Sequence, residues 1–338
     1  MNIAVTCSNG LLGQSKIPRE HTVSQTFSMF LNRLAATTRT HRPYSSATRM
    51  ALQAETKTAD NPDERARDLL NCFNNINQQV HQAASGREVR LVAVSKLKPA
   101  SDILTLYRTT GHLHFGENYV SELQEKVKAV SQIASFNRYN LLTSLSLLPF
   151  IYPQLPGDIK WHFIGALQSN KCKILGAIPN LFAVETVDSL HKAQLLEKSR
   201  SALASSVQVN PLEVYLQVNT SEEASKAGFI SPSNEPILSS NLHSTAKYIK
   251  EECRWLKLAG LMTIGSIGQS KSDQGTNKDF ERLVQLRDQL SESLGGLELG
   301  LSMGMSADFA LAIKMGSDNV RVGSSIFGER PPFKKPET

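Results

Sequence analysis

The sequence contains no apolar run long enough to cross a membrane. The longest candidate, residues 141–152, includes a proline and falls short of the roughly 20 apolar residues that a spanning helix needs. Cysteine is also scarce, and no Cys-x-x-Cys pair or other metal-binding spacing occurs among Cys7, Cys72, Cys172 and Cys253. We therefore expect no membrane partner, and we interpret the cysteines as reduced thiols of an intracellular protein.

Acidic residues are almost missing from the N-terminal segment. Residues 1–50 contain six basic residues and one acidic residue, Glu20. This segment therefore accounts for +5 of the formal net charge of +6. The rest of the chain is nearly neutral and lacks a basic stripe, so we predict no nucleic-acid partner. The Ser- and Thr-rich basic segment resembles a mitochondrial transit peptide. The alternative is a disordered extension, or sequence that lies upstream of a start at Met50. In that case we expect a cytoplasmic protein.

A second segment without acidic residues, 131–154, fits none of the elements around it. Compact domains rarely carry loops of this length, so we interpret it as an inserted loop or translated intron sequence without a function. These features predict a basic extension at 1–62 and one folded domain at 63–333 that contains the insertion. A short tail follows at 334–338.

Short apolar runs typical of β-strands alternate with amphipathic helical segments. The eight runs are 90–95, 112–116, 161–166, 181–187, 213–219, 256–264, 297–304 and 319–328. Regular β–α alternation predicts parallel strands joined by crossover helices. Eight such units favour a closed (β/α)8 TIM barrel over a doubly wound open sheet.

A (β/α)8 barrel carries its active site at the C-terminal ends of its strands. The polar residues predicted there are Lys96, Asn118, His162, Glu185, Asn219 and Thr263, followed by two loops rich in Gly and Ser at 302–306 and 321–324. Gly and Ser let backbone N–H groups approach an anion, and barrels often bind phosphate after their last two strands. The alternative is that both loops are simple tight turns.

Lys96 ends the first strand-like run, with Lys98 on the same face two residues later. Lys96 is either a surface lysine or a desolvated amine able to condense with an aldehyde. A lysine and a phosphate site on one rim together describe a site for pyridoxal phosphate.

Two other motifs do not lead to a function. "GLSMG" at 300–304 matches the nucleophile elbow of α/β-hydrolases, but that fold needs a histidine after the serine, and the last histidine is His243. His112 and His114 place two imidazoles on one face of a strand, and no third ligand is evident, so we predict no metal site.

Six motifs in order, "AVSKLKP", "FGENY", "WHFIGALQSNK", "GLMTIGS", "SMGMSADF" and "VRVGSSIFGER", closely resemble the pyridoxal phosphate homeostasis protein family, also called the YggS or PROSC family. The resemblance covers about 63–333 and is interrupted by 131–154. It implies an alanine-racemase-like barrel of fold type III that binds pyridoxal 5'-phosphate (PLP).

The resemblance also implies roles for particular residues. Lys96 would carry PLP as a covalent Schiff base, and Arg321 would face the pyridine nitrogen. Because arginine keeps its proton, the ring would be a poor electron sink. The remaining implied contacts are Asn118 beside the ring, Ser302, Gly323 and Ser324 at the phosphate, and His162 and Met303 along the pocket.

The resemblance favours a carrier over an enzyme. Related racemases add a β-domain whose counterpart in a partner subunit supplies a tyrosine, but only ten residues follow Gly328. We therefore expect a monomer, without catalytic residues, that buffers PLP or delivers it to PLP-dependent apo-enzymes. An amino-acid racemase is the second hypothesis and a class I aldolase the third. A scaffold that has lost cofactor binding is the fourth.

Overall fold

A computed structural model describes residues 62–136, 157–223, 225–230, 237–270 and 275–329. The chain divides into two units, Met1–Asp60 and Asn61–Thr338, and every described residue belongs to the second. The basic segment that resembles a transit peptide, most of the predicted insertion and the C-terminal tail lie outside the described residues.

Eight parallel strands close into a barrel, which confirms the predicted (β/α)8 fold. The described residues form nine strands, eight in the barrel and the short β6 beside it: β1 (Arg90–Val94), β2 (His114–Glu117), β3 (Lys160–Phe163), β4 (Leu181–Val187), β5 (Leu212–Asn219), β6 (Phe229–Ile230), β7 (Leu256–Met262), β8 (Gly300–Ser302) and β9 (Asn319–Val322). The ring runs β1-β2-β3-β4-β5-β7-β8-β9 and closes where β9 pairs with β1. The two-residue β6 pairs only with the end of β5.

Helices follow the strands around the barrel. They are α1 (Pro62–Ala84), α2 (Ala100–Thr110), α3 (Val120–Phe136), α4 (Ser169–Gly176), α5 (Leu190–Ala204), α6 (Asn241–Glu252), α7 (Ile267–Ser270), α8 (Lys278–Ser293), α9 (Phe309–Lys314) and α10 (Ser324–Phe327). Helix α3 extends six residues into the segment predicted as an insertion. None of these described helices is long and apolar enough to span a membrane.

Side-chain alternation along the strands separates an outer apolar layer from a polar barrel interior. In β9, Val320 and Val322 lie in the apolar layer beneath the helices, whereas Asn319 and Arg321 make side-chain hydrogen bonds inside the barrel. His162 of β3 is likewise buried and bonded to interior groups. The fold therefore presents polar side chains of several strands to one another along the barrel axis.

Candidate functional site

A pocket of about 350 Å³ opens at the C-terminal ends of the strands. Five of the eight residues implied for the cofactor line it, namely Lys96, Asn118, Arg321, Gly323 and Ser324. The other lining residues are Val94, Lys98, Ile164, Met262, Ile264, Met305, Ser306, Ala307 and Gly328. Because three of the described lining side chains are cationic and none is a carboxylate, the pocket favours an anionic ligand.

A group of charged residues holds the backbone on both sides of Lys96. Lys126 of α3 donates hydrogen bonds to the carbonyl oxygen of Ser95 (3.0 Å) and to carboxylate oxygens of Glu117 (2.6 Å) and Glu122 (2.8 Å). Glu122 also accepts the backbone N–H of Leu97 at 2.7 Å. We call Ser95, Leu97, Glu117, Glu122 and Lys126 the lysine-loop network.

The lysine-loop network stabilises an unfavourable backbone conformation. Leu97 has a φ of 60°, in the left-handed region that costs a residue with a Cβ about 1–2 kcal/mol. Its N–H is satisfied by the Glu122 carboxylate, and the N–H of Lys98 closes a turn onto the Ser95 carbonyl at 3.0 Å. The chain therefore turns sharply just after Lys96, which lies half-buried on the pocket wall.

Burial changes the acid–base properties of the lysine-loop network. Glu117 is fully buried, and this burial raises its pKa to about 7, although Lys126 and the Ser95 hydroxyl act in the opposite direction. Its Oε2 atom has no hydrogen-bond partner among the described residues. Glu117 is therefore a carboxyl group that changes charge near neutral pH.

A second group of polar residues lies inside the barrel behind Arg321. One guanidinium nitrogen of Arg321 donates to the Ser302 hydroxyl at 2.5 Å, and the other donates to the carbonyl oxygen of Thr263 at 2.8 Å. Ser302 in turn donates to the carboxylate of Glu185 at 2.6 Å. We call Glu185, His162, Ser302, Asn319 and Arg321 the barrel-interior network.

Glu185 is the centre of the barrel-interior network. Its carboxylate accepts hydrogen bonds from the Asn319 amide at 3.1 Å and contacts Nδ1 of His162 at 2.7 Å. Burial opposes its ionisation, but the contact with His162, the positive charge of Arg321 and the hydrogen bond from Ser302 hold its pKa below the ordinary value. Burial also lowers the pKa of Arg321.

Three residues implied for the cofactor do not line the pocket. His162, Ser302 and Met303 are all fully buried. The Ser302 hydroxyl is occupied by Glu185 and Arg321 inside the barrel, and His162 is bonded to Glu185. Met303, on the opposite face from Ser302, packs in the outer apolar layer. These three residues lie behind the described pocket lining, and their assignment to the cofactor stays a prediction.

Ser306 belongs to the same loop as Ser302 and lies beside the two other residues predicted at the phosphate, Gly323 and Ser324. It lines the pocket, and its hydroxyl accepts the backbone N–H of Gly323 and lies 3.3 Å from the Ser324 hydroxyl. An N–H group and two hydroxyls from two neighbouring loops therefore meet at one point. The sequence offered the signal, because Ser306 ends the same Gly- and Ser-rich loop, but it did not show which serine faces the pocket.

The pocket residues fit a phosphorylated aromatic aldehyde. Lys96 supplies an amine, and Ser306, Gly323 and Ser324 supply hydrogen-bond donors suited to a phosphate. On the pocket wall, Oδ1 of Asn118 is buried and has no partner among the described residues. A Cβ at Gly323 would come 3.3 Å from Cβ of Val94, so glycine lets this loop pack closely against the end of β1.

The His-x-His motif lies at the opposite end of the barrel, at the start of β2. One ring nitrogen of His112 contacts the carbonyl oxygen of His114, and His114 Nδ1 lies 2.9 Å from Nε2 of His162. Within the described ranges, no cluster of three potential metal ligands occurs. The motif therefore continues the barrel-interior network toward the N-terminal ends of the strands.

Comparison with known proteins first defines the class. Residues 67–331 match the model of the alanine racemase N-terminal domain. The chain is 43% identical over 267 residues to the pyridoxal phosphate homeostasis protein of Schizosaccharomyces pombe, covering 79% of this chain and 94% of that protein. It is 42% identical to the human protein of the same name, covering 77% and 86%.

The solved structures agree. PipY of Synechococcus elongatus, determined with PLP bound, superposes with a TM-score of 0.53 at 26% identity, covering 75% of this chain and all of PipY. The chain belongs to the pyridoxal phosphate homeostasis protein family.

Proposed function

We propose that this protein binds PLP in the pocket at the C-terminal ends of the strands, as a Schiff base on Lys96, and buffers or delivers it. The observation that carries the proposal is the placement of Lys96 on the same pocket as the donors of Ser306, Gly323 and Ser324. The relatives are named for PLP homeostasis, and PipY was solved with PLP bound.

Each pocket residue then has a role. Ser306, Ser324 and the N–H of Gly323 hold the phosphate, Asn118 lies beside the ring, and Arg321 faces the pyridine nitrogen. When bound, PLP supplies an aldehyde for a lysine amine and a ring that can accept electrons.

The same pocket argues against catalysis. The Arg321 guanidinium keeps its proton, so it does not help the ring to accept electrons as a carboxylic acid would. Racemisation needs an acid–base group on each face of the substrate. Apart from Arg321, the only ionisable side chains among the described lining residues are those of Lys96 and Lys98, and they lie two residues apart in one loop. We therefore propose a carrier rather than a racemase, acting as a monomer toward PLP-dependent apo-enzymes.

The first experiment is an absorption spectrum of the protein with PLP, before and after borohydride reduction, followed by peptide mass spectrometry. The wild-type protein should show the visible band of a Schiff base, and reduction should fix the cofactor on Lys96. The Lys96→Ala variant should lose the band. Lys98→Ala is the matched control, because Lys98 lines the same pocket and should not be needed for the covalent bond.

Two outcomes would overturn the proposal. One is a wild-type protein that stays colourless with PLP, and the other is a reduced adduct on a lysine other than Lys96. If the adduct is on Lys96, incubation with L-alanine and chiral analysis separates a carrier from a racemase. Transfer to an apo-enzyme, measured in the presence of a scavenger of free PLP, then tests delivery.

A further inference from the structure

Glu185 is a fully buried carboxylate that does not line the pocket. Its oxygen Oε2 lies 3.8 Å from a guanidinium nitrogen of Arg321, and the Ser302 hydroxyl bridges the two groups. Arg321 itself is only 5% exposed. A guanidinium buried to this degree needs a compensating negative charge, since an unpaired buried charge is strongly destabilising.

The Glu185 carboxylate has two neighbours that can carry a positive charge, His162 at 2.7 Å and Arg321 at 3.8 Å. An ionised carboxylate can only accept, so Nδ1 of His162 carries the proton in the 2.7 Å contact. Nε2 of His162 lies 2.9 Å from Nδ1 of His114, and the tautomers of the two rings decide which nitrogen donates. Burial, and after it the neighbouring His162, Arg90 and Lys160, lowers the pKa of His114 to about 2.

We take His162 as the imidazole protonated on Nδ1 alone, and in that state the barrel-interior network contains one negative charge, on Glu185, and one positive charge, on Arg321. The negative charge of Glu185 is therefore available to Arg321. Asn319 donates to both carboxylate oxygens and to Ser302, so it holds the acceptors in place. Thr263 fixes the second guanidinium nitrogen through its carbonyl oxygen.

We propose that Glu185 is a positioning residue for Arg321, compensating the buried guanidinium from inside the barrel and fixing its direction through Ser302. The consequence for the pocket rests on the proposed function. A guanidinium already paired with a carboxylate does not need the phosphate as its counter-ion, which leaves the phosphate to Ser306, Gly323 and Ser324. Glu185 would thus set the orientation of the ring in the pocket.

The test is a double-mutant cycle on the apo-protein, so it does not depend on PLP. Glu185→Gln and Arg321→Gln each keep a side chain that forms hydrogen bonds but remove one charge. We expect each single variant to lower the Tm by roughly 6 °C or more, and the double variant to lose clearly less than the sum. Additive losses would overturn the inference.

Two further measurements guard against variants that fail to fold. Glu185→Asp keeps the charge, whereas Glu185→Gln keeps the size of the side chain. The Tm of Glu185→Asp should therefore be closer to the wild-type value than that of Glu185→Gln. The reverse order would contradict a role through charge. In the wild-type apo-protein, nitrogen-15 NMR should find His162 protonated on Nδ1 alone. A doubly protonated His162 would assign the Glu185 charge to that residue and overturn the inference.

PLP titration separates this inference from the proposed function. If Glu185 positions Arg321, the Kd for PLP of folded Glu185→Gln should rise about tenfold. An unchanged Kd would contradict the positioning role while leaving the carrier function intact. Failure of the wild-type protein to bind PLP would instead sink the carrier function, and the apo-protein cycle would still decide the pairing.

Discussion

Lys96 and Arg321 both line the pocket, and each is supported by a network that contains a buried carboxylate. One network holds the backbone around Lys96, and the other holds the side chain of Arg321. The lysine-loop network ends on backbone groups, the carbonyl of Ser95 and the N–H of Leu97. The barrel-interior network ends on the guanidinium of Arg321 itself.

The difference follows from where each residue lies. Arg321 belongs to β9, whose pairing with β1 already fixes its backbone, so only the long side chain remains to be held. Lys96 lies two residues beyond the end of β1, where no strand pairing fixes the chain. Its network supplies the missing backbone restraint. Under the proposed function, a lysine that forms and breaks a covalent bond would gain from a fixed backbone with a movable amine, whereas an arginine that recognises the ring would gain from a fixed guanidinium.

The largest expected effect comes from removing the cation of the lysine-loop network. Lys126→Met leaves Glu117 buried beside Glu122 with no positive partner, so we expect a loss of about 3–5 kcal/mol in the free energy of unfolding. Urea denaturation of the apo-protein measures it. Lys247→Met is the control, because Lys247 forms an exposed pair with Glu251 and should matter little. Equal losses in both variants would contradict the network.

The second effect is a dependence of stability on pH. The pKa of Glu117 is about 7 in the folded protein and lies near 4.5 without the fold, so the folded state binds the extra proton between these values. Its contribution is present below about pH 4.5 and is lost as the pH rises through 7, by roughly 3 kcal/mol in total. Glu117→Gln should flatten this slope in denaturation curves between pH 5 and 8. An unchanged slope would assign the titration elsewhere.

The sequence was sufficient for the barrel and for much of the pocket. Regular β–α alternation specifies parallel strands whose C-terminal ends meet, so Lys96 and Asn118 could be placed on one rim without coordinates. The Gly- and Ser-rich loops located Gly323 and Ser324 for a similar reason, since short turns after the last strands can only face that rim.

Side-chain direction could not be predicted in the same way. Ser302 and Ser306 belong to one loop, and only the structure shows that the first faces the interior and the second the pocket. Glu185 was expected at the rim, but it lies where the register of β4 with β5 shifts, between Val184 and Val187. Such irregularities re-aim side chains and have no clear sequence signal. Lys126, thirty residues after Lys96, had no signal either.

A smaller effect is expected at the turn that follows Lys96. Glu122→Ala removes the acceptor for the Leu97 N–H and should raise the Kd for PLP, since a hydrogen bond to a charged group contributes about 1.5–3 kcal/mol. Glycine adopts a positive φ without strain, so Leu97→Gly should make the loop less dependent on Glu122. We therefore expect the rise to be smaller in the Leu97→Gly background. A rise of the same size in both backgrounds would show that Glu122 acts only through Lys126.

The smallest effect separates the barrel-interior network from the phosphate site. Ser306→Ala removes one neutral hydrogen bond to the phosphate, so the preference for PLP over pyridoxal should fall about fivefold. Ser302→Ala should leave that preference intact, because its hydroxyl serves Glu185 and Arg321, and should instead lower the Tm of the apo-protein. Both ligands are titrated by absorbance against each variant. Loss of the phosphate preference in Ser302→Ala would mean that the interior and the phosphate site are one network, and the contrast between the two serines would fail.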